Sequence, residues 1–413
     1  MNSNSTNTWA PARNWIGALA FFLPFLSLVT LFGVSLVSFL FLISALIWFK
    51  PSRDALRSHW PQVRWVVLAF LLYFTFVLGC ALVRGASMGS VEKPARMFLA
   101  LTALLAVLVS NAPRRALWWG ASAGAVASLA FIGWQRLALH IDRPGGLINA
   151  ITFGDLALLL GLLSLAGAID LRASRRDTLL CGAGVLAGLA ASVLTGTRGG
   201  WVSLALVALV LAPRVRTIDS RALSGLLAAG VLLLGTSWFV PALGVQARFA
   251  EGVRDAETWY EGGSVWTNVG TRLELWKGAA MLIEEKPLLG RDFDAARTRL
   301  AEFAQQGRLD PLVLELPHLH NDGLQALTTG GVVGFVLWAS ILVAPLAFFM
   351  RRLGRDAQAP QFAAALAGTF VVLGYIGFGL TEVIFWSMKG SLFYALMVFM
   401  LMGFCLNAKD KIG

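Results

Sequence analysis

Residues 331–350 read GVVGFVLWASILVAPLAFFM, twenty positions without a charged side chain. A helix rises about 1.5 Å per residue, so this stretch is just long enough to cross a hydrocarbon layer of about 30 Å. The same reading repeats along the chain, giving expected spans near 15–31, 33–49, 63–83, 96–110, 116–138, 147–169, 178–196, 200–212, 222–240, 331–350, 361–380 and 388–406. With 413 residues, 57% of them hydrophobic and 14% charged, the chain reads as an all-α polytopic transmembrane protein of about twelve spans. The first apolar stretch lacks a basic flank followed by a cleavage site and runs into a second span, so a retained helix is expected there rather than a signal peptide.

Charge sets the expected orientation. Arg114, Arg115, Arg172, Arg175, Arg176, Arg351, Arg352 and Arg355 fall in alternate short connections, together with Lys50, Arg53 and Arg57, whereas the intervening short connections are poor in Lys and Arg. Basic loops stay in the cytoplasm, which puts both termini inside and the segment 241–323 outside. In that long segment, acids outnumber bases. The net charge of +11 is therefore a topology signal. It is spread over turns rather than gathered on one face, which argues against a nucleic-acid partner. Cys80, Cys181 and Cys405 lie within expected spans and read as small apolar residues, with no disulfide expected.

Three regions follow: spans one to nine over 1–240, an outer loop over 241–323, and spans ten to twelve with a short tail over 324–413. Within the loop, Thr271 to Glu274 matches a capping box, and Leu273, Trp276, Ala280 and Ile283 recur at helical spacing until Pro287 and Gly290. A second short helix is expected from Ala295 to Gln306, with Leu300 and Phe303 on its apolar side and Gly307 ending it. The polar stretch from Glu251 to Gly270, interrupted by Trp259, Tyr260 and Trp266, reads as mobile.

Several residues on the outer side carry chemistry. Arg198 sits in the turn TGTRGGW, residues 195–201, where a guanidinium either snorkels to headgroups or, with glycines letting a ligand approach, holds phosphate oxygens bidentately. Arg272 opens a helix, whose free N–H groups suit phosphate, although a plain surface arginine fits the same position. His320 falls in LPHLHNDG, residues 316–323, and imidazole is the side chain best matched to accepting a hydroxyl proton near neutrality. His318, His320 and Asp322 alternate, so an extended segment would place them on one side; a metal site there lacks an evident fourth ligand. Asp292 and Asp294 either resemble a cation-binding pair or cap a helix through Asp294. Asp155 and Glu382 are ionisable groups at membrane depth or its edge, and Glu382 would orient His320 or an arginine. Trp259 and Tyr260 would stack on sugar or anchor at the interface. Arg136, His140 and Arg143 form another outer group suited to headgroup contacts.

His320 and Asn321, followed after nine residues by Gly331-Val332-Val333-Gly334, resemble the histidine signature of the O-antigen ligase family. Arg198 in its glycine-flanked turn, and Arg272 followed by Trp276, Ala279, Pro287 and Gly290, resemble that family's two essential arginines. Arg291-Asp292 departs from relatives, which often continue with glycines at that point. The resemblance implies a metal-independent, inverting glycosyltransferase of GT-C type in the inner membrane of a Gram-negative bacterium, with no cofactor. It would move a polysaccharide from undecaprenyl pyrophosphate to a sugar hydroxyl of lipid A-core on the periplasmic face. By that resemblance His320, Arg198 and Arg272 are catalytic, the two arginines bind the donor diphosphate, and His318, Asn321, Glu382, Trp259 and Tyr260 are candidates for contacting substrate. Membrane lipids surround it. An O-antigen polymerase would usually carry two sizeable outer loops, and a protein O-oligosaccharyltransferase a longer C-terminal portion. A transporter would instead use Asp155 and Glu382 at the midplane.

Overall fold

A computed structural model describes residues 10–197, 199–212, 245–354 and 359–407, and among these there is no strand. The helices in chain order are α1 Ala10–Val29, α2 Gly33–Ile47, α3 Phe49–Arg84, α4 Gly89–Leu99, α5 Leu101–Ser110, α6 Arg114–Leu137, α7 Ala150–Asp170 and α8 Arg175–Leu194. They continue with α9 Gly199–Leu211, α10 Val245–Tyr260, α11 Gly270–Glu285, α12 Phe293–Gln305, α13 Asp322–Met350, α14 Ala359–Gly379 and α15 Met388–Asn407. Nine segments of the described residues are long and apolar enough to cross a membrane, with α4 and α5 together forming one of them, Gly89–Ser110. α2 and α9 are apolar but shorter. The expected span 222–240 lies outside the described residues, as does the expected cytoplasmic Arg355. The chain is thus a polytopic helical membrane protein, the form in which every backbone N–H and C=O is satisfied without water. One expectation changes: residues 50–62, read as a loop before the third span, continue the helix of α3 despite Pro61.

The most deeply enclosed helices are α7, α14 and α15, each 89% buried over its apolar window. They are apolar on all sides, as helices at the centre of a bundle must be. Small residues let them approach closely. A Cβ on Gly188 of α8 would come within 2.7 Å of the Gly161 Cα on α7, so the two backbones cross there. Polar contacts sort the helix ends. At one end Arg114 of α6 pairs with Asp170 of α7 at 2.7 Å and Arg115 with Asp177 of α8 at 2.9 Å. At the other, Lys389 Nζ of α15 donates to the Thr30 carbonyl at 2.7 Å, and Arg84 Nη2 of α3 donates to the Leu289 carbonyl at 2.6 Å. Arg114 and Arg115 are among the basic residues that the sequence places on one side, and they lie at the end opposite Lys389 and His320.

The segment before α13 forms a roof with its own core. Leu275, Ala279 and Leu282 of α11 pack against Ala296, Leu300 and Phe303 of α12 and against Leu309, Val313 and Leu319. The expected stripe Leu273, Trp276, Ala280, Ile283 is therefore out of phase with the buried face, and Ala280 is exposed. The stretch is apolar around more of its circumference than one stripe, so periodicity did not single out the face that α12 covers. The capping box does not form either: Thr271 lies inside α11 and donates to the Val265 carbonyl, while Thr267 Oγ1 accepts the Gly270 N–H at 2.9 Å. α12 starts at Phe293, two residues earlier than expected, and Asp292 rather than Asp294 caps it, accepting the Ala295 N–H at 3.0 Å. The segment read as mobile is helical through Tyr260.

α13 is broken at Gly331, whose φ of 61° and ψ of −165° interrupt the helix. The chain after α11 fills the break. Val332 and Val333 donate their N–H groups to the carbonyls of Pro287 (2.8 Å) and Leu288 (3.1 Å), and the Arg291 N–H reaches the Thr328 carbonyl at 3.2 Å. Only glycine suits this splice: a Cβ on Gly331 would lie 2.3 Å from the Leu288 carbonyl carbon, and one on Gly290, itself at φ 62°, 2.5 Å from the Gly331 nitrogen. The roof is thereby tied to a membrane helix just below the histidine segment.

Across the roof, Glu285 of α11 pairs with Arg291 and with Arg299 of α12, each at 2.5 Å. The hydrogen bond from Arg299 leads in pulling the Glu285 carboxyl down to about 2; burial opposes it, and Arg291 reinforces it. A depressed carboxyl stabilises above its unfolded pKa and loses that contribution as pH falls toward the folded value. The melting temperature of wild type should therefore exceed that of Glu285→Gln at about pH 7, with the gap closing as pH falls from about 4.5 toward about 2. Gly331→Ala should cost about 1–3 kcal/mol through backbone strain alone, read as earlier thermal inactivation in detergent.

Candidate active site

The segment between α12 and α13 carries both histidines to one buried carboxylate. α14 ends at Gly379, and the chain then turns, with the Glu382 N–H donating to the Phe378 carbonyl at 2.9 Å. Glu382 is 2% exposed. Its Oε1 lies 3.2 Å from His318 Nε2 and accepts the Val383 N–H at 3.0 Å, while its Oε2 lies 3.2 Å from His320 Nδ1. Burial pushes the Glu382 carboxyl up, but the hydrogen bond and charge of His320, the charge of His318 and the Val383 N–H together hold it below the ordinary carboxylate value. It is therefore ionised near neutrality and can only accept. His320 then carries its proton on Nδ1, which leaves the Nε2 lone pair free, and among the described residues Nε2 has no hydrogen-bond partner. Burial, chiefly, lowers the His318 imidazole below its ordinary value. That keeps His318 neutral, donating from Nε2 while its buried Nδ1 has no partner.

The backbone that presents these rings is bent rather than extended. His320 has φ 50°, in the left-handed region, so the two rings reach Glu382 through a turn and not through the alternation of a strand. Asp322 does not join them. Its carboxylate turns to the N–H groups of Ile384 (3.2 Å) and Phe385 (3.4 Å), tying the first turn of α13 to the loop that bears Glu382. Asn321 caps α13, accepting the Leu324 N–H at 2.9 Å, and donates to the Leu380 carbonyl at 3.3 Å.

α11 leans on this segment. Trp276 Nε1 donates to the Leu319 carbonyl, between the histidines, at 2.9 Å. Arg272 lies one turn earlier on the same helix. Burial lowers its guanidinium from the ordinary value, and the Glu382 charge acts the other way, so Arg272 senses the carboxylate that holds the histidines. Among the described residues Arg272 makes no hydrogen bond or ion pair. Arg198 lies outside the described residues, but its neighbours do not. Thr197 Oγ1 donates to the Ala150 carbonyl at 2.9 Å. A Cβ on Gly199 would lie 2.3 Å from Thr381 Oγ1, so the turn that carries Arg198 runs beside the residue preceding Glu382.

Other expected residues lie in surroundings of their own. Trp259 donates its indole N–H to Glu274 at 2.8 Å, which braces α10 on α11, while Tyr260 is 87% exposed. Arg136 donates to the carbonyls of Ile141 and Asp142 in its own loop. Asp155 is fully buried in α7, packed against Gly200, and neither of its oxygens has a partner. Two residues were not singled out from the sequence. Trp386 stands 5.7 Å from His318, ring to ring, and Lys93 of α4 lies 4.8 Å over the Trp386 ring and donates to its carbonyl. An aromatic in the short connection between two spans was the only available signal.

His318, His320 and Glu382 offer ligand atoms all within 4.8 Å of one another, so they could hold a cation. Each Glu382 oxygen nevertheless sits at hydrogen-bond distance from one ring nitrogen, the arrangement of a carboxylate that orients imidazoles. Chemically, the cluster provides an imidazole base fixed by a buried anion, with a half-buried guanidinium on the adjoining helix.

Residues 183–339 match the family model described as O-antigen ligase. That match runs from α8 through the roof and the broken half of α13, and so takes in Arg198, Arg272 and His320; the family resemblance is borne out over this segment. A protein of Haemophilus influenzae, described as an uncharacterized protein, is 22% identical to the chain over 356 residues, 84% of this chain and 88% of its own length.

The tie through Asp322 is open to test. Asp322→Ala leaves the buried Ile384 N–H unpaired, at about 1–3 kcal/mol, and removes the partner of the part-buried Phe385 N–H. Hydrogen exchange should then speed up at Ile384 and Phe385, with little change in α7.

Proposed function

We propose that the chain is an inner-membrane glycosyltransferase that transfers O-antigen polysaccharide from undecaprenyl pyrophosphate to a sugar hydroxyl of lipid A-core on the periplasmic face. The observation that carries this reading is the His320 imidazole, held through Nδ1 by buried Glu382 and free at Nε2, beside the helix that bears Arg272. The matched family supports a ligase or polymerase type of transferase. The sorting of basic residues to the opposite end of the bundle supports an outward-facing site.

The reaction these groups would perform is an in-line displacement. His320 Nε2 takes the proton from the acceptor hydroxyl as its oxygen attacks the anomeric carbon, and the bond from that carbon to the diphosphate oxygen breaks, inverting the centre. Undecaprenyl pyrophosphate leaves with the bonding pair. Arg272, together with Arg198 from the α8–α9 turn, neutralises the charge that develops on it. Glu382 stabilises the imidazolium formed in the step, as a carboxylate behind a histidine base does. His318 shares that carboxylate and limits its rotation. Asn321 shapes the start of α13, and Trp259 and Tyr260 at the end of α10 are the positions from which a sugar chain would be met. The donor's own diphosphate bond supplies the driving force, the two guanidinium groups would carry the charge that a metal could otherwise carry, and the one roof-forming segment among the described residues favours ligation over polymerisation.

In reconstituted vesicles with purified donor and acceptor, His320→Ala, Arg272→Ala and Arg198→Ala should each lower transfer by about 10²–10⁴-fold while the protein still reaches the membrane. Glu382→Gln, which keeps size but cannot stabilise an imidazolium, should lose about 10²-fold in kcat with little change in KM. Chelator should leave the rate unchanged. A requirement for divalent ion would point to the His318, His320, Glu382 cluster as a metal site and defeat the proton-transfer role. Polymer lengthened on the donor lipid, with none on lipid A-core, would make the chain a polymerase.

A further inference from the structure

A cavity of about 400 Å³, lined by Trp386 but not by His318, lies within the size range of small-ligand sites. Its walls come from α3, α4 and α13, and the start of α12 roofs it. The lower part is apolar, formed by Phe76, Val77, Cys80 and Met97. Gly330 and Gly334 of α13 face Phe76 there: a Cβ on Gly334 would come within 2.8 Å of the Phe76 ring, so the glycines leave the room that the ring and the cavity share. The upper part is polar. Lys93 and Arg84 stand at the level of the helix ends, and Asp292 and Asp294 belong to the roof. α3 is the least enclosed of the long spans, only 28% buried over its apolar window, with Val83 89% exposed, so this side of the protein faces lipid.

Position argues for one occupant. α3 packs on α13 and α4, whereas α9 packs on α7 and α14, so the cavity and the turn between α8 and α9 belong to different flanks of the bundle. A transfer between two lipid-borne substrates needs two such approaches. Trp386 links the cavity to the histidines: it lines the cavity, its ring stands 5.7 Å from that of His318, and the Lys93 ammonium lies 4.8 Å from its centroid. The geometry points to this cavity as the berth of the acceptor: one hydrocarbon chain of a phosphate-bearing glycolipid lies between α3, α4 and α13, with a phosphate at Lys93 and the sugar rising past Trp386 to His320. This rests on the transferase reading given above.

Cys80 lines the cavity, while Cys181 and Cys405 are buried, so the full chain carries a built-in probe. Purified protein in lipid nanodiscs would be treated with N-ethylmaleimide and the modification of Cys80 followed by mass spectrometry. Lipid A-core should slow it about tenfold, the protection expected when ligand is at about ten times its Kd. Undecaprenyl pyrophosphate alone and added phosphatidylglycerol should not. Equal protection by the undecaprenyl lipid would make this the donor's berth, equal protection by phosphatidylglycerol would make it an ordinary bilayer contact, and a Cys80 that never reacts would mean a closed cavity. Each of these overturns the proposal. Cys80→Trp fills the same space and should raise KM for the acceptor about tenfold, a loss of about 1.4 kcal/mol, without moving KM for the donor; an unchanged acceptor KM also overturns it. Labelling needs no turnover, so failure to observe transfer would count against the catalytic reading without deciding this one.

Discussion

A single carboxylate, that of Glu382, organises the outer end of this bundle. A charge buried this deeply is tolerated only when its lone pairs are taken up, and here two imidazole nitrogens and a backbone N–H take them. The consequences spread outward. An ionised Glu382 dictates which nitrogen of each ring holds the proton, and so leaves the Nε2 lone pair of His320 free. It also demands that two separate pieces of chain, the segment before α13 and the turn after α14, be held at hydrogen-bond distance.

Most of the surrounding architecture meets that demand. Asp322 ties α13 to the Glu382 loop, Trp276 ties α11 to the histidine segment, and Thr197 and Gly199 tie the α8–α9 turn to α7 and to Thr381. The splice of residues 287–291 into the break of α13 fixes the height of the roof above the membrane helices. It also gives a physical reason for the Pro287, Gly290 and Gly331 positions noted in the sequence: two backbones pass so closely that neither glycine has room for a Cβ. Trp259 and Asn321, which look like substrate contacts by type, also act as structural ties, through Glu274 and the Leu324 N–H.

The outer end is also asymmetric. On the α7–α9 flank the packing is tight, with small residues bringing backbones together; on the α3–α4 flank a cavity remains, lined by flexible and aromatic side chains and facing lipid. A bundle that must hold a reactive centre rigidly yet admit long-chain lipids from the side is served by this division. The rigid flank sets the geometry of the charged groups, and the open flank gives access.

Sequence alone determined the polytopic helical class, because a backbone in hydrocarbon has to bond to itself and a charge-free run of twenty residues leaves it no other course. It also placed His318, His320, Arg272 and Arg198 at the same end of the bundle through loop charge, and marked Glu382 as a possible partner for His320. Helix phase in the roof was not legible. α11 is apolar on more than one side, and only the presence of α12 chooses Leu275, Ala279 and Leu282 over Leu273, Ala280 and Ile283. Nor were the sharing of Glu382 between both histidines, the capture of Trp259 by Glu274, or the meeting of Lys93 with Trp386. Each joins residues far apart in the chain, or depends on which of two acceptable faces is covered, and local pattern carries no information about either; tertiary packing decides them.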